Sequence, residues 1–222
     1  NLIQAAQFCG SLPLLDQSVL RLACQDLQSL MQQPRLRSAG LVYAINMTAD
    51  TLFMPNFRQN LERLVEVHDL DPTTICLEIT EQTALRNPGE AITTLKKLRR
   101  HGFKVALDDF GTGMTSLGYL RDLPLDYVKI DKSFIRKLDH DSASRLIVQF
   151  VVELSKEIGF QTIAEGIEDL PLLNLVQELG ITIAQGYLIT RPAPLLAPMD
   201  EWWFDRPGEQ QLACSSSSTI PA

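Results

Sequence analysis

Two adjacent carboxylates, Asp108 and Asp109, end an apolar run in the stretch KVALDDFGTG, and two glycines follow them. Like charges side by side at the end of a buried strand are costly unless a cation lies between them. Five other apolar runs end in polar groups: LVYAINM in Asn46, ICLEIT in Glu78, YVKID in Lys129 with Asp131, QTIAEG in Glu165 and ITIAQGY in Gln185. Carboxylates and a carboxamide are hard oxygen donors that suit Mg²⁺ or Mn²⁺. Adjacent aspartates offer one bridge and one further ligand to a pair of such ions. Their side chains diverge in an ideal strand, so the backbone is expected to turn there, eased by Gly111 and Gly113. A two-metal cluster serves phosphoester hydrolysis by holding the attacking water and the leaving oxygen in line. Lys129 can position that water, offset surplus carboxylate charge, or stabilise charge on phosphate.

Each residue also has a plain structural reading. An acid at a strand end is often a turn residue or a helix N-cap. Asn46 can cap the next helix, Lys129 can pair with Asp131 two residues on, and Glu165 and Glu168 can be solvated loop acids. The chemical reading depends on all of them meeting at one place.

The elements that must bring them together are legible as a βα repeat. Six short apolar strands alternate with helical sequence long enough for right-handed crossovers, which argues for a parallel sheet. Three passages, RRHGFKVALDDFG, KEIGFQTIAEG and QELGITIAQGY, run from a helix through a glycine into a strand. Gly102, Gly159 and Gly180 fit the left-handed position beyond a helix C-terminus. Pro88 suits the first turn of a helix. In SASRLIVQFVVELSKEIG, Ile147, Phe150, Val151, Leu154 and Ile158 recur at the spacing of one helix face, predicting the buried side. Polar groups on six strand ends favour a closed barrel, whose strand C-termini share one rim, over an open doubly wound sheet. Six strands do not close an eight-stranded barrel, so a missing pair is expected upstream of residue 1.

The chain has 222 residues, is 45% hydrophobic and carries a net charge of −7. An acidic chain is poorly suited to non-specific contact with duplex nucleic acid, and a phosphate ligand would need bound metal to reverse the local sign. Four cysteines without CxxC spacing read as reduced thiols in a cytoplasmic protein. His68, His101 and His140 lie in loops or near helix ends, which argues against a zinc site. GTGMTS lacks the lysine of a nucleotide-binding P-loop. No run of this chain reaches the length of a membrane span, and NLIQAAQFCG has neither the charge nor the apolar core of a signal peptide. The barrel domain is placed at 1–204, with Trp202 and Trp203 packing a final helix, and the tail 205–222 is expected to be disordered.

The motifs INMTADTL (45–52), LEITE (77–81), DDFGTG (108–113), LPLDYVKIDKSFI (123–135), TIAEGIED (162–169) and QGYLITRP (185–192) resemble, in order and spacing, those of the EAL domain of bacterial signalling proteins. The resemblance implies an α/β fold, a modified TIM (β/α)8 barrel with about six of eight strands in this chain. It implies Mg²⁺- or Mn²⁺-dependent hydrolysis of cyclic di-GMP to linear pGpG. Asn46, Glu78 and Asp108 match the family's metal ligands, and Asp109 and Glu165 match positions at the second metal. Lys129 matches the lysine beside the hydrolytic water, while Glu168 and Gln185 match supporting positions. Glu81 resembles the glutamate that braces the loop after DDFG, and Met114 stands where an aromatic residue is common. A homodimer and an upstream sensory or GGDEF domain are implied in the same way. The Glu-Ala-Leu motif itself is absent from these 222 residues. Hydrolysis is therefore expected of a longer parent, with little from these residues alone. The competing reading is a silent EAL-like domain that binds cyclic di-GMP or a protein partner.

Overall fold

A computed structural model describes residues 2–33, 40–113 and 117–192. Met114, Trp202, Trp203 and the tail 205–222 lie outside the described residues. Six strands follow one another in the chain: β1 (Tyr43–Met47), β2 (Ile75–Thr80), β3 (Lys104–Phe110), β4 (Tyr127–Ile130), β5 (Gln161–Glu165) and β6 (Ile183–Gln185). They pair in parallel in that same order, β1-β2-β3-β4-β5-β6. A doubly wound sheet reverses direction at a switch point. This sheet never does, so right-handed crossovers place its helices on one side and its winding is that of a (β/α)8 barrel.

The strands form where β-branched and aliphatic residues run continuously. Ile75, Cys76, Leu77, Glu78 and Ile79 are all buried, as are Val105, Ala106 and Leu107, the pattern of parallel strands covered on both faces. The helices between them carry their own stop signals. Pro88 opens the helix Pro88–Arg100, whose last turn holds Lys97, Arg99 and Arg100 against the negative end of the dipole. Asp141 caps the helix Ser142–Ile158 by accepting from the Ala143 and Ser144 amides. Gly102, Gly159 and Gly180 adopt φ of +95°, +92° and +87°, as the sequence predicts. No helix among the described residues is long and apolar enough to cross a membrane.

The buried face of the helix Ser142–Ile158 is rotated from the expected one, with Val151 common to both. Ser144, Val148, Val151, Val152 and Ser155 turn inward, while Leu146, Ile147 and Phe150 are exposed. Arg145, Gln149, Glu153 and Lys156 mark one polar side, but the apolar arc opposite them is wider than the strip that packs on the sheet, so periodicity alone does not fix which part of it is buried. The serines do: small side chains allow close approach to the sheet, and the Ser155 hydroxyl is satisfied within the helix by donating to the Val152 carbonyl at 2.7 Å.

Candidate active site

The C-terminal ends of the six strands carry the expected residues. Register places Asn46 level with Glu78 across β1 and β2, and Glu165 level with Gln185 across β5 and β6. Between them, Lys129 on β4 turns inward and is 5% exposed. Its Nζ lies 2.8 Å from Glu165 Oε1, 2.9 Å from Asp108 Oδ1 and 3.2 Å from Glu78 Oε2. One ammonium thus joins acids from β2, β3 and β5. Carboxylate oxygens of Asp108, Asp109 and Glu165 all lie within 4.8 Å of one another.

Asp108 and Asp109 reach the same space because the backbone turns at Asp109 itself. Leu107 pairs with Val128 and Phe110 with Ile130, so β3 holds one residue more than β4 over this stretch, a β-bulge. Asp109 adopts φ +56°, the left-handed region that aspartate tolerates better than most residues. The expected turn is therefore present, but it falls at Asp109, two residues before the first of the glycines credited with it. The Asp109 amide donates to Asp108 Oδ1 at 3.0 Å, tying the pair.

Four carboxylates face one lysine here, and the proton affinities of Glu78, Asp109 and Glu165 show the imbalance. Burial pushes Glu78 above the ordinary glutamate range; Lys129 opposes this and Asp108 adds to it. Burial likewise raises Glu165 against the pull of its hydrogen bond from Lys129, and raises Asp109 with help from Asp108 and Asp131. Burial alone would lower Lys129, but hydrogen bonding to Glu165 and the charge of Glu78 outweigh it, and the ammonium is held above its ordinary value. A site in which burial raises Glu78, Glu165 and Asp109 despite a buried lysine has room for more positive charge. Its donors are oxygens throughout, which fits Mg²⁺ or Mn²⁺.

The loop after β3 is held from two sides. Glu81, 2% exposed, is the first residue of the helix Glu81–Arg86 that follows β2. Its Oε2 accepts from the Gly113 amide at 3.0 Å and from the Gly111 amide at 3.3 Å. Gly113 must lack a side chain, since a Cβ there would lie 2.8 Å from Glu81 Cδ. On the other side the Phe134 ring packs so closely that a Cβ on Gly111 would approach it to 2.5 Å. Phe134 stands in the motif LPLDYVKIDKSFI, but the sequence alone does not assign it this contact.

Other expected residues are placed differently. Glu168 is paired to Arg136 at the surface, away from the lysine-centred cluster. Asn46 and Gln185 are exposed at the ends of the two outer strands. Asp131 does not pair with Lys129; it caps the helix Lys132–Ile135, accepting from the Ser133 amide at 2.8 Å. Thr48, rather than Asn46, caps the helix Ala49–Leu52.

The family model describing the EAL domain matches residues 1–192. The chain is 35% identical over 202 residues to the cyclic di-GMP phosphodiesterase PdeB of Shewanella oneidensis, covering 90% of this chain and 23% of that protein. It therefore spans under a third of the curated relative's length. Among solved structures it is similar to the PaMucR phosphodiesterase in complex with c-di-GMP, with a TM-score of 0.80 and 31% identity over 86% of this chain and 76% of that one. It is also similar to BlrP1 of Klebsiella pneumoniae in a manganese and cyclic di-GMP complex, with a TM-score of 0.74 and 28% identity, covering 82% and 45% of the two chains.

Proposed function

This chain belongs to the EAL domain family, and from that premise we propose that it is the catalytic domain of a metal-dependent phosphodiesterase that hydrolyses cyclic di-GMP to linear pGpG. The observation that carries this reading is the Lys129 ammonium within 3.2 Å of Glu78, Asp108 and Glu165, with Asp109 turned toward the same acids by a bulge.

Asn46, Glu78 and Asp108 would hold one Mg²⁺ or Mn²⁺, and Asp109 and Glu165 the second. Bound there, the two ions supply an activated water and charge stabilisation at the leaving oxygen. Lys129 holds the carboxylates apart at a fixed spacing and presents N–H donors to the hydrolytic water. Glu81 fixes the loop that follows Asp109 and so holds the bulge in place. Glu168 and Gln185 support the rim, Glu168 once it leaves Arg136.

In this reading residues 1–204 form the barrel domain and 205–222 its tail, in a longer cytoplasmic parent with a sensory or GGDEF domain upstream. The parent is a homodimer, and the exposed Leu146, Ile147 and Phe150 offer the contact surface. The test is to incubate the full-length protein with Mn²⁺ and cyclic di-GMP and to separate the products. Formation of pGpG, abolished by Asp108→Ala, is expected. Unchanged turnover in that variant would overturn the two-metal assignment.

A further inference from the structure

Asp16 lies on the helix Leu12–Met31, far in sequence from every acid of the site, and is 8% exposed. Its Oδ2 accepts three hydrogen bonds: from the Thr48 amide at 3.0 Å, the Thr48 hydroxyl at 2.6 Å and the Thr51 hydroxyl at 2.6 Å. Two of the donors belong to Thr48, which links β1 to the helix Ala49–Leu52 as its N-cap, and the third to Thr51 within that helix. Each threonine hydroxyl has one proton, and both protons go to Asp16. The Thr48 oxygen is left to accept from the Thr51 amide, at 3.4 Å. This junction is thus wired to a single carboxylate oxygen by charge-assisted bonds, which are shorter and stronger than neutral ones.

Asn46 ends this same strand. Among the described residues its carboxamide has no hydrogen-bond partner, and β1 pairs only with β2. Glu78 is held by Lys129, and Asp109 by its bulge. Asn46 has neither device, so its place opposite Glu78 depends on the backbone that carries it, and that backbone is tied down two residues later at Thr48. A neutral amide is also a weaker metal donor than a carboxylate, so its contribution depends on being placed well.

We propose that Asp16 is a positioning residue for Asn46: through Thr48 and Thr51 it fixes the exit of β1 and keeps the carboxamide at the metal-facing rim. This rests on the two-metal reading above. No motif marks Asp16, because its partners lie 32 and 35 residues away.

The experiment is a Mn²⁺ titration of the full-length protein, followed by electron paramagnetic resonance, together with the dependence of kcat and KM on Mn²⁺. Asp16→Ala and Thr51→Val are compared with Asp126→Asn. The Asp126 carboxylate holds Val105 and Arg99 at the opposite, N-terminal end of the strands, so its loss destabilises without touching β1. Expected is a loss of about 10- to 100-fold in Mn²⁺ affinity for both rim variants, seen as a lower kcat at limiting Mn²⁺ with KM for cyclic di-GMP little changed. The Asp126→Asn protein should bind Mn²⁺ normally despite a lower Tm. If Asp16→Ala does not fold, Thr51→Val, which keeps the side-chain shape, decides alone. Normal Mn²⁺ affinity in the folded rim variants would overturn the positioning role, as would an affinity loss in Asp126→Asn matching theirs. Failure of the unsubstituted protein to bind Mn²⁺ would overturn the two-metal reading itself and the inference with it.

Discussion

Lys129 Nζ and Glu165 Oε1 stand 2.8 Å apart on the neighbouring strands β4 and β5, and the same nitrogen reaches Asp108 and Glu78. A buried ion pair is weak evidence for stability, but removing one member leaves the others uncompensated. Here the cation that joins the three acids is the member at risk. At alkaline pH and with metal chelated, Lys129→Met should lose about 3–5 kcal/mol of unfolding free energy. Added Mn²⁺ should restore part of it by supplying the missing charge, while hydrolysis stays abolished. Urea denaturation with and without Mn²⁺ measures both. An equal loss in the two conditions would mean that the acids share no cation site.

The same imbalance gives a pH dependence. Burial raises Glu165 above its ordinary value of 4.5, even against the hydrogen bond from Lys129. A group whose folded pKa is raised contributes stability that is complete below the unfolded value and is lost as pH climbs through the folded one. Glutamine copies the protonated form. Metal-free Glu165→Gln should therefore match the unsubstituted protein below the ordinary value and exceed it in stability at neutral pH. Saturating Mn²⁺ should reverse the ranking, because only the glutamate binds the ion. Urea midpoints across pH test this, and a variant less stable at neutral pH without metal would contradict it.

Glu81 and Gly113 make a separate prediction about the loop. Glu81→Ala removes the acceptor for two amides, at a cost of about 1 kcal/mol because the loop glycines can turn to water. Catalysis should suffer more, by about 10- to 100-fold in kcat, since the bulge at Asp109 loses its brace. Hydrogen exchange at the Gly111 and Gly113 amides should accelerate. Gly113→Ala should reproduce the kinetic defect by pressing a methyl group against the Glu81 carboxylate. Protected amides in Glu81→Ala would show that the brace lies elsewhere.

How much of this was legible depends on the range of the interaction. All six strands, their parallel pairing and the helix-ending glycines follow from local periodicity and backbone preference, and each is where the residues predict it. The meeting of Glu78, Asp108 and Glu165 at Lys129 was legible because strand C-termini in this topology share a rim. The bulge was half legible: two adjacent acids demanded a turn, but the glycines drew attention from Asp109, whose own side chain permits φ +56°. Asp16 was not legible, because a carboxylate in a helix has no periodic signature and its threonine partners lie across a long connection. The pairing of Glu168 with Arg136 was not legible for a similar reason, since Arg136 sits on a different βα unit.

The helix Ser142–Ile158 supplies the last test, because of the five residues that periodicity groups on one face Val151 is buried but Ile147 and Phe150 are exposed. Leu146, Ile147 and Phe150 are 67%, 41% and 45% exposed, while Val148, Val151 and Val152 fill the space against the sheet. Apolar side chains clustered on one outward face of a helix are a typical contact surface. If a second copy covers them in the homodimer, Phe150→Glu should leave the folded barrel intact, within about 0.5 kcal/mol for a surface change. It should nonetheless convert dimer to monomer in sedimentation velocity. Val151→Glu should do the opposite, unfolding the domain by burying a charge. A Phe150→Glu protein that sediments as the dimer would rule out this face as the contact. One that fails to fold would restore the face that periodicity predicted.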